Sequence, residues 1–434
     1  MPKGEAMKKI ETGLGREIDE GLELVWANYG KELINWYADL WDGEIGGFYY
    51  AMSARDHEFF LPDIESTNQA LNLIASSGAT DKWNRELSRA LPAEMIESIS
   101  RFVISLASED GYFYHSQWGK DVPSDRRGRD LSWAESLTRR FNINLPYPTA
   151  NERLRSGKGG AGLPEHLLSR EAFIDYLDRL NIPSHSHNKG HALNAQVGQI
   201  IASGLSDTLF DYCDELQERA QRARIEKGLR PNGMFQESVD YISISGLFKI
   251  GQIYNSAKRP LKYADYMIDT GIETVLSDVP PHVVIYVYNP WAGLGTAVNN
   301  MKITNELYPG TYDVDAAYRK IRAAAPEMLR KTAEKLKIFK QPDGAFSFNP
   351  SGSAPYIYNT HASLGLPEGD VNATSIAINS VTNNICTALG IARPPIWDED
   401  DFDYMIARAM GKGKIIKKPL PEDHKDDPAV RGRK

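Results

Sequence analysis

Cysteine is scarce in this chain: 434 residues hold two, Cys213 and Cys386. Two thiols make no disulfide framework, so stability must rest on a packed core. Both fall in helical-looking segments and read as buried free thiols. Long apolar runs are missing as well. No stretch approaches the roughly 18 residues of a membrane span. The N-terminal Met-Pro-Lys-Gly-Glu-Ala lacks the apolar centre of a secretory signal, and the longest early apolar run is Leu24-Val25-Trp26-Ala27. These absences predict a soluble, cytoplasmic chain without a membrane partner. Excess positive charge is missing too. The net charge of −8 and the pI of about 5.7 argue against nucleic acid as a partner. What the chain does have is 41% apolar residues, enough for a sizeable core. Its length suits two ordinary domains or one large closed ring of helices. No composition shift marks an internal boundary. Residues 1–410 therefore read as one domain, and the Lys-, Asp- and Pro-rich 411–434 as a disordered tail.

Helical period dominates. Ile10, Leu14, Ile18, Leu22, Val25 and Trp26 recur at spacings of three and four, followed by Leu33, Trp36 and Leu40. The same period predicts helices over 63–76, 90–107, 164–180, 187–204, 206–227, 236–257, 260–277, 313–338 and 370–390. Strand signals are few, and the strongest is His282–Tyr288. Residues 142–163, with two prolines and four glycines and Pro164 just beyond, read as a long loop.

A weak unit recurs along this helical chain: Gly46-Gly47-Phe48-Tyr49-Tyr50, Asp110-Gly111-Tyr112-Phe113-Tyr114, Asn232-Gly233-Met234-Phe235-Gln236 and Asp343-Gly344-Ala345-Phe346-Ser347-Phe348. Each places a turn before an aromatic in an extended stretch. Three lead into helix starts rich in acids and hydroxyls, at Asp63–Thr67, Glu237–Asp240 and Asp370–Thr374. Such recurrence predicts helical hairpins stacked or closed into a ring. The fold class expected is all-α, an (α/α)6 or (α/α)7 toroid with short β-hairpins between helix pairs. The uneven spacing of the glycines disfavours a regular α-solenoid.

These segments resemble those of carbohydrate-active α/α-toroid families: uronate-acting polysaccharide lyases, unsaturated glucuronyl hydrolases and related β-glucuronidases. The resemblance lies in Gly-Gly-Phe-Tyr-Tyr followed by Asp63–Ala70, and in Asp343–Phe348 followed by Gly369–Ile376. It spans most of residues 30–390. Terpene cyclases and prenyltransferases share the toroid and its Gly-aromatic repeats, so the fold alone does not set the chemistry. Asp398-Glu399-Asp400-Asp401 fits the acidic pattern of proton-initiated cyclases, but it opens a short C-terminal helix, where N-terminal charge accounts for it.

The most polar helix start is Ser184-His185-Ser186-His187-Asn188-Lys189-Gly190-His191, with Ser184 or Ser186 as its expected cap. Asn188 and His191 share a face, as do His187 and His191. β-Elimination from a uronate requires a group that neutralises the carboxylate, a base for the C5 proton and an acid for the leaving O4. Asn188 fits the first role, His191 the second, and Tyr241 or Tyr288 the third. Toroid lyases use Asn, His and Tyr in these roles, which the resemblance extends to these positions by residue type and placement. A metal at His187 and His191 would need a third ligand, and no His-Glu-x-x-His pattern is present.

Carboxylates form a second constellation. Asp63, Glu65, Glu237, Asp240, Glu368 and Asp370 stand at helix starts, where acids cap helices as a matter of course. Equivalent starts in a toroid converge, however, and two such carboxylates suit glycoside hydrolysis. Asp63, Glu65 and Asp370 are the alternative catalytic carboxylates. Substrate binding is assigned to Arg55, Arg126, Arg127, His187, Trp118, Trp291 and Glu237. Arginine suits bidentate carboxylate recognition and aromatic rings suit sugar faces. The run Arg126–Arg129 reads as a basic loop. Gly157-x-Gly-Gly-x-Gly162 has no preceding strand and is no phosphate loop. The reading is thus an enzyme that cleaves uronate-containing saccharides, foremost a lyase, with a glucuronidase-like hydrolase as the alternative. A non-catalytic helical scaffold is the third reading. The expected partner is an anionic saccharide; a homo-oligomer is left open, and no cofactor or metal is expected.

Overall fold

A computed structural model describes residues 9–156 and 164–424. The chain is mostly helical, with about 60% of residues in helix and only two-residue strands, so the all-α class holds. Among the described residues no helix is long and apolar enough to cross a membrane. Gly157, Gly159, Gly160 and Gly162 of the expected loop, and the last ten residues of the expected tail, lie outside the described residues.

The described residues gather into two compact units, each assembled from separated stretches of chain. Unit 1 takes them from 1–28, 163–337 and 380–393; unit 2 takes them from 29–162, 338–379 and 394–434.

In unit 1, helix Tyr241–Ser256 packs against helices Ser186–Ala195 and Ile285–Leu307. Helix Ala264–Leu276 packs against Ile285–Leu307 and Val314–Lys337, and the latter packs on Arg16–Trp26. Helix Ile285–Leu307 is the centre, with Tyr286 to Val298 buried on every side. That burial explains a correction to the sequence reading. The expected strand His282–Tyr288 is the entry to this helix, because an all-apolar run carries no period that distinguishes a buried helix from a strand. Glycines allow the helices to approach closely. A Cβ on Gly246 would lie 2.2 Å from the Ser186 hydroxyl, and one on Gly271 would lie 2.5 Å from Leu294.

Unit 2 contains helices Glu32–Leu40, Ile64–Ser76, Ala93–Leu106, Ser124–Phe141, Val371–Ser375 and Glu399–Met410. The Ser124–Phe141 helix overturns the expected basic loop at Arg126–Arg129. Its buried stripe runs Arg126, Asp130, Leu131, Ala134, Leu137, Phe141, so its first turns bury an ion pair where an apolar residue would have announced the helix. Residues 411–424, assigned to the tail by composition, run beside residues 56–60 where described: the Lys418 N–H donates to the Asp56 carbonyl, and the Glu58 N–H to the Lys418 carbonyl.

Three of the four Gly-aromatic segments belong to unit 2, and their backbones share one ladder. After helix Ala93–Leu106, Ala107 pairs with Phe113, and the Tyr114 N–H donates to the Leu106 carbonyl. After helix Val314–Lys337, Lys340 pairs with Phe346, and the Ser347 N–H donates to the Phe339 carbonyl. After helix Glu32–Leu40, Trp41 pairs with Phe48, and the Tyr49 N–H donates to the Leu40 carbonyl. The turn glycines Gly46, Gly111 and Gly344 have φ of 93°, 84° and 85°, which side-chain-bearing residues rarely adopt.

Two of these hairpins each bond to a helix start of the same design. The Phe48 N–H donates to Thr67 Oγ1 at 2.9 Å, and the Phe346 N–H to Thr374 Oγ1 at 3.0 Å. Asp63 caps its helix through the Ser66 N–H at 2.8 Å, and Asp370 caps its helix through the Ala373 N–H at 2.7 Å. Each threonine stands four residues after its aspartate, one helical turn on.

Candidate active site

Two of the Asp caps of unit 2, Asp63 and Asp370, meet around Tyr50. Asp370 accepts from the Ala373 and Phe348 N–H groups, and Asp63 from the Ser66 N–H and hydroxyl. Ala51, next to Tyr50, forms a bridge with Asp370. The Tyr50 hydroxyl is buried, faces Asp370 and completes no hydrogen bond of normal geometry. Burial raises its pKa, and the charges of Asp370, Glu65 and Asp63 add to that.

Glu65 stands in the first turn of the helix that Asp63 caps. Its Oε2 accepts from Arg126 Nη1 at 2.9 Å, and its Oε1 from Arg129 Nε at 2.9 Å. Arg126 also pairs with Asp130 through two contacts and stacks 4.6 Å from the Trp118 ring. Gln69 links Glu65 to Asn372, donating to both at 2.9 and 3.0 Å. Neighbouring amides are less satisfied: the Asn68 carboxamide is buried with no partner on either atom, and Gln69 Oε1 has none.

The environments split the carboxylates. Burial opposes the ionisation of Glu65, but Arg129 and Arg126 outweigh it and hold the carboxyl below its ordinary range. Burial pushes Asp63 up to about 6, against the pull of Arg126 and Ser66. Burial pushes Asp370 up to about 7, against the Ala373 and Phe348 N–H groups. Glu368, bonded to the Ser53 N–H, is raised by burial as well. Neutral and ionised carboxyl groups thus coexist near pH 7, as acid–base sites require.

The half-buried side of this cluster is formed by Arg129, Tyr358 and Asn372. The Arg129 guanidinium lies 5.5 Å from the Trp133 ring and 5.1 Å from the Tyr358 ring.

Other residues expected to bind substrate in unit 2 are engaged elsewhere. Arg126 is fully buried and neutralised by Glu65 and Asp130. Arg55 donates to Asp56 and to the Asp39 carbonyl. Arg127 stacks 4.7 Å from Tyr112. Trp118 is half-buried, and its Nε1 donates to the His361 carbonyl at 3.0 Å.

Unit 1 holds the other expected site. The cap of helix Ser186–Ala195 is His185, not Ser184 or Ser186: its Nδ1 accepts the Asn188 N–H at 3.3 Å. Ser186 turns away to the Ile242 carbonyl. Asn188 is exposed and His191 half-buried one turn on. Tyr241 opens its helix behind the Asp240 cap, and its hydroxyl donates to the Val279 carbonyl at 2.9 Å. Its ring stacks on Tyr286 at 5.3 Å, and Tyr286 in turn meets His187 at 5.7 Å. His187, assigned to binding, therefore joins the tyrosine cluster, as does His282, 4.9 Å from the Tyr286 ring. Burial, then Lys249 and His185, lower its pKa to about 3, and its buried Nδ1 has no partner.

Tyr288 packs edge-on against Phe248, 5.7 Å away. Trp291 is wholly buried, and its Nε1 donates to Thr332. Glu237 pairs with Lys227 at the surface. Among the described residues no group of three His, Cys, Asp or Glu is arranged to hold a metal.

Sequence reasoning missed Tyr50, Gln69, Arg129 and Tyr286 as members of these clusters. Tyr50 and Arg129 stand inside segments it singled out, and Tyr286 inside its expected strand. Gln69, one turn beyond Glu65 on a buried face, was the readable signal of the four.

No family model matches this chain, nor does any curated protein or solved structure.

Proposed function

We propose that the chain is a carbohydrate-active enzyme that hydrolyses glycosidic bonds of uronate-containing saccharides, with its chemistry in unit 2. The observation that carries this reading is the split among carboxylates gathered at Tyr50. Glycoside hydrolysis needs a carboxyl group that keeps its proton for the leaving oxygen, and an ionised carboxylate that stabilises the cationic sugar or activates water. Asp370, ionising near 7, is the proton donor. Glu65, held ionised by Arg126 and Arg129, is the carboxylate. Asp63, ionising near 6, holds a second proton beside Tyr50 at mildly acidic pH. The Ala373 and Phe348 N–H groups fix Asp370, and the buried Tyr50 hydroxyl faces it. Arg129 faces the sugar carboxylate with its free edge, while Trp133 and Tyr358 flank the ring. The twin hairpin and Asp-cap units support a ring-like α/α arrangement, in which helix starts of this kind converge.

The neutral His187 favours a second reading, β-elimination in unit 1. An unprotonated imidazole with a partnerless Nδ1 suits a base, Tyr286 or Tyr241 suits the acid, and Asn188 or Lys249 neutralises the carboxylate. In this reading His191, on the same face as His187, orients the substrate.

One assay separates the two. The protein is incubated with aryl glucuronides, unsaturated uronate disaccharides and uronate polymers, following both reducing ends and the ultraviolet absorbance of newly formed unsaturated uronate. Hydrolysis gives reducing ends without new absorbance and is lost in Asp370→Asn and Glu65→Gln. Elimination gives both signals together and is lost in His187→Ala. Hydrolysis that survives Glu65→Gln at full rate overturns the unit 2 assignment.

A further inference from the structure

Unit 1 contains a cavity of about 470 Å³, lined by no residue of either cluster and within the roughly 300–1,000 Å³ of small-molecule sites. It lies between helices Ser186–Ala195, Tyr241–Ser256, Ile285–Leu307 and Val381–Leu389 and reaches Val197. Its lining is unusual in kind. No Asp, Glu, Lys, Arg or His contributes to it, while five carboxamides do: Asn194, Gln252, Asn255, Asn299 and Asn384.

Some of these amides hold the helices together. Asn255 accepts from Asn300 at 3.0 Å and donates to the Thr296 carbonyl at 3.3 Å. Asn194 donates to the Lys249 carbonyl at 3.1 Å, and Asn384 to the Ser380 carbonyl at 2.7 Å. The rest of their capacity is unused among the described residues. Gln252 Nε2, both ends of the exposed Asn299 amide, and Oδ1 of Asn194 and Asn384 have no protein partner.

We infer that this cavity binds a neutral, polyhydroxylated ligand, a short neutral saccharide. A charged ligand would find no opposite charge in the lining and would lose its hydration uncompensated. A hydrocarbon would strip water from several amides and leave them unpaired. A sugar carries a hydroxyl that both donates and accepts on most of its carbons, which is what carboxamides match. Its C–H face suits the apolar wall of Phe248 and Ala292. This site is separate from the acid cluster of unit 2 and does not depend on the hydrolase reading.

The test uses the full chain and saturation-transfer NMR, with calorimetry for affinity. The probes are cellotriose, xylotriose and mannotriose, with acetylated and amidated trialanine as the other neutral ligand of paired donors and acceptors. At least one trisaccharide is expected to bind. Gln252→Leu and Asn299→Asp should each weaken it about fivefold to tenfold, the worth of one hydrogen bond. Asn299 is exposed and makes no bond, so Asn299→Asp keeps the fold and decides the matter if Gln252→Leu does not fold. Glu65→Gln should leave this binding unchanged whatever it does to hydrolysis. Binding of no trisaccharide, binding of trialanine in their place, or unchanged affinity in Asn299→Asp overturns the inference.

Discussion

Replacing Asp370 by Asn should make the stability of unit 2 respond to pH differently from the native chain. Asp370 is wholly buried, and burial moves its ionisation from an ordinary 3.8 to about 7. Between those values the folded chain holds a proton that the unfolded chain has released. Stability therefore falls as pH rises through this window and levels off above about 7. A gap of about three pH units, at about 1.4 kcal/mol each, sets an upper limit of about 4 kcal/mol on that loss. Asn cannot ionise, so Asp370→Asn removes this component. It keeps one acceptor oxygen for the Ala373 or Phe348 N–H and forfeits the other, at about 1 kcal/mol. The variant should be slightly less stable than the native chain at pH 4 and more stable at pH 8.5, so the two curves cross. Urea unfolding followed by tryptophan fluorescence is the assay. Trp36, Trp41, Trp83, Trp118, Trp133 and Trp397, six of the eight tryptophans, lie in unit 2, so the signal reports mainly on that unit. Midpoints that stay parallel from pH 4 to 8.5 would refute the buried, proton-holding Asp370.

Other expectations are direct. Hydrolytic turnover should decline as pH rises through about 7, where Asp370 gives up the proton it must donate; a pH–rate profile flat across neutrality would remove Asp370 from the acid role. Arg126→Met should destabilise unit 2 by about 3–5 kcal/mol, because it leaves Asp130 and part of Glu65 buried without a partner. The loss should shrink when Glu65→Gln and Asp130→Asn are added, as a denaturation cycle would show. Thr67→Val and Thr374→Val should each cost about 1–3 kcal/mol by orphaning the Phe48 and Phe346 N–H groups, and unequal melting shifts would mean the two units are not equivalent. Gly46→Ala should cost more than about 1 kcal/mol, since φ is 93° there and the new methyl would sit 2.0 Å from the Ser98 carbonyl oxygen.

Much of the fold can be read from hydrophobic period. The expected helices over 63–76 and 90–107 appear as Ile64–Ser76 and Ala93–Leu106, with Asp63 as the cap of the first. Period fails where burial is unlike a one-faced helix. His282–Tyr288 runs into a helix that is buried all round from Tyr286 to Val298, which leaves no polar face there to reveal the turn length. Ser124–Phe141 fails for the opposite reason, because its inward stripe begins with an Arg–Asp pair. The helix expected over 370–390 is interrupted by a π-turn at Ile376–Ser380, which composition does not announce. At the candidate site, Asp63, Glu65 and Asp370 are legible as acids at helix starts. That they share Tyr50 is not, because the contact spans about 320 positions and depends on how two hairpins are oriented. Histidine roles are the least legible. His185, His187 and His191 are alike in sequence, and only burial and the facing rings separate a cap from a neutral imidazole.

The interleaving of the two units bears on how the chain is made. Unit 2 begins at Tyr29 and needs Asp370 beside Ala51, and Arg408 and Lys412 on Asp39. During synthesis its 29–162 stretch must therefore wait, with the aromatic hairpin at 41–48 formed but its partners not yet translated. The 163–337 stretch of unit 1 is translated in that interval. Closure over such separations is slow, because the loop entropy is lost before the contacts form. The early stretch thus spends the interval as an exposed aromatic surface, which is where binding by a chaperone, or aggregation in its absence, should concentrate. A chain released before Asp370 would leave unit 2 without one of its twin caps, however well unit 1 had folded.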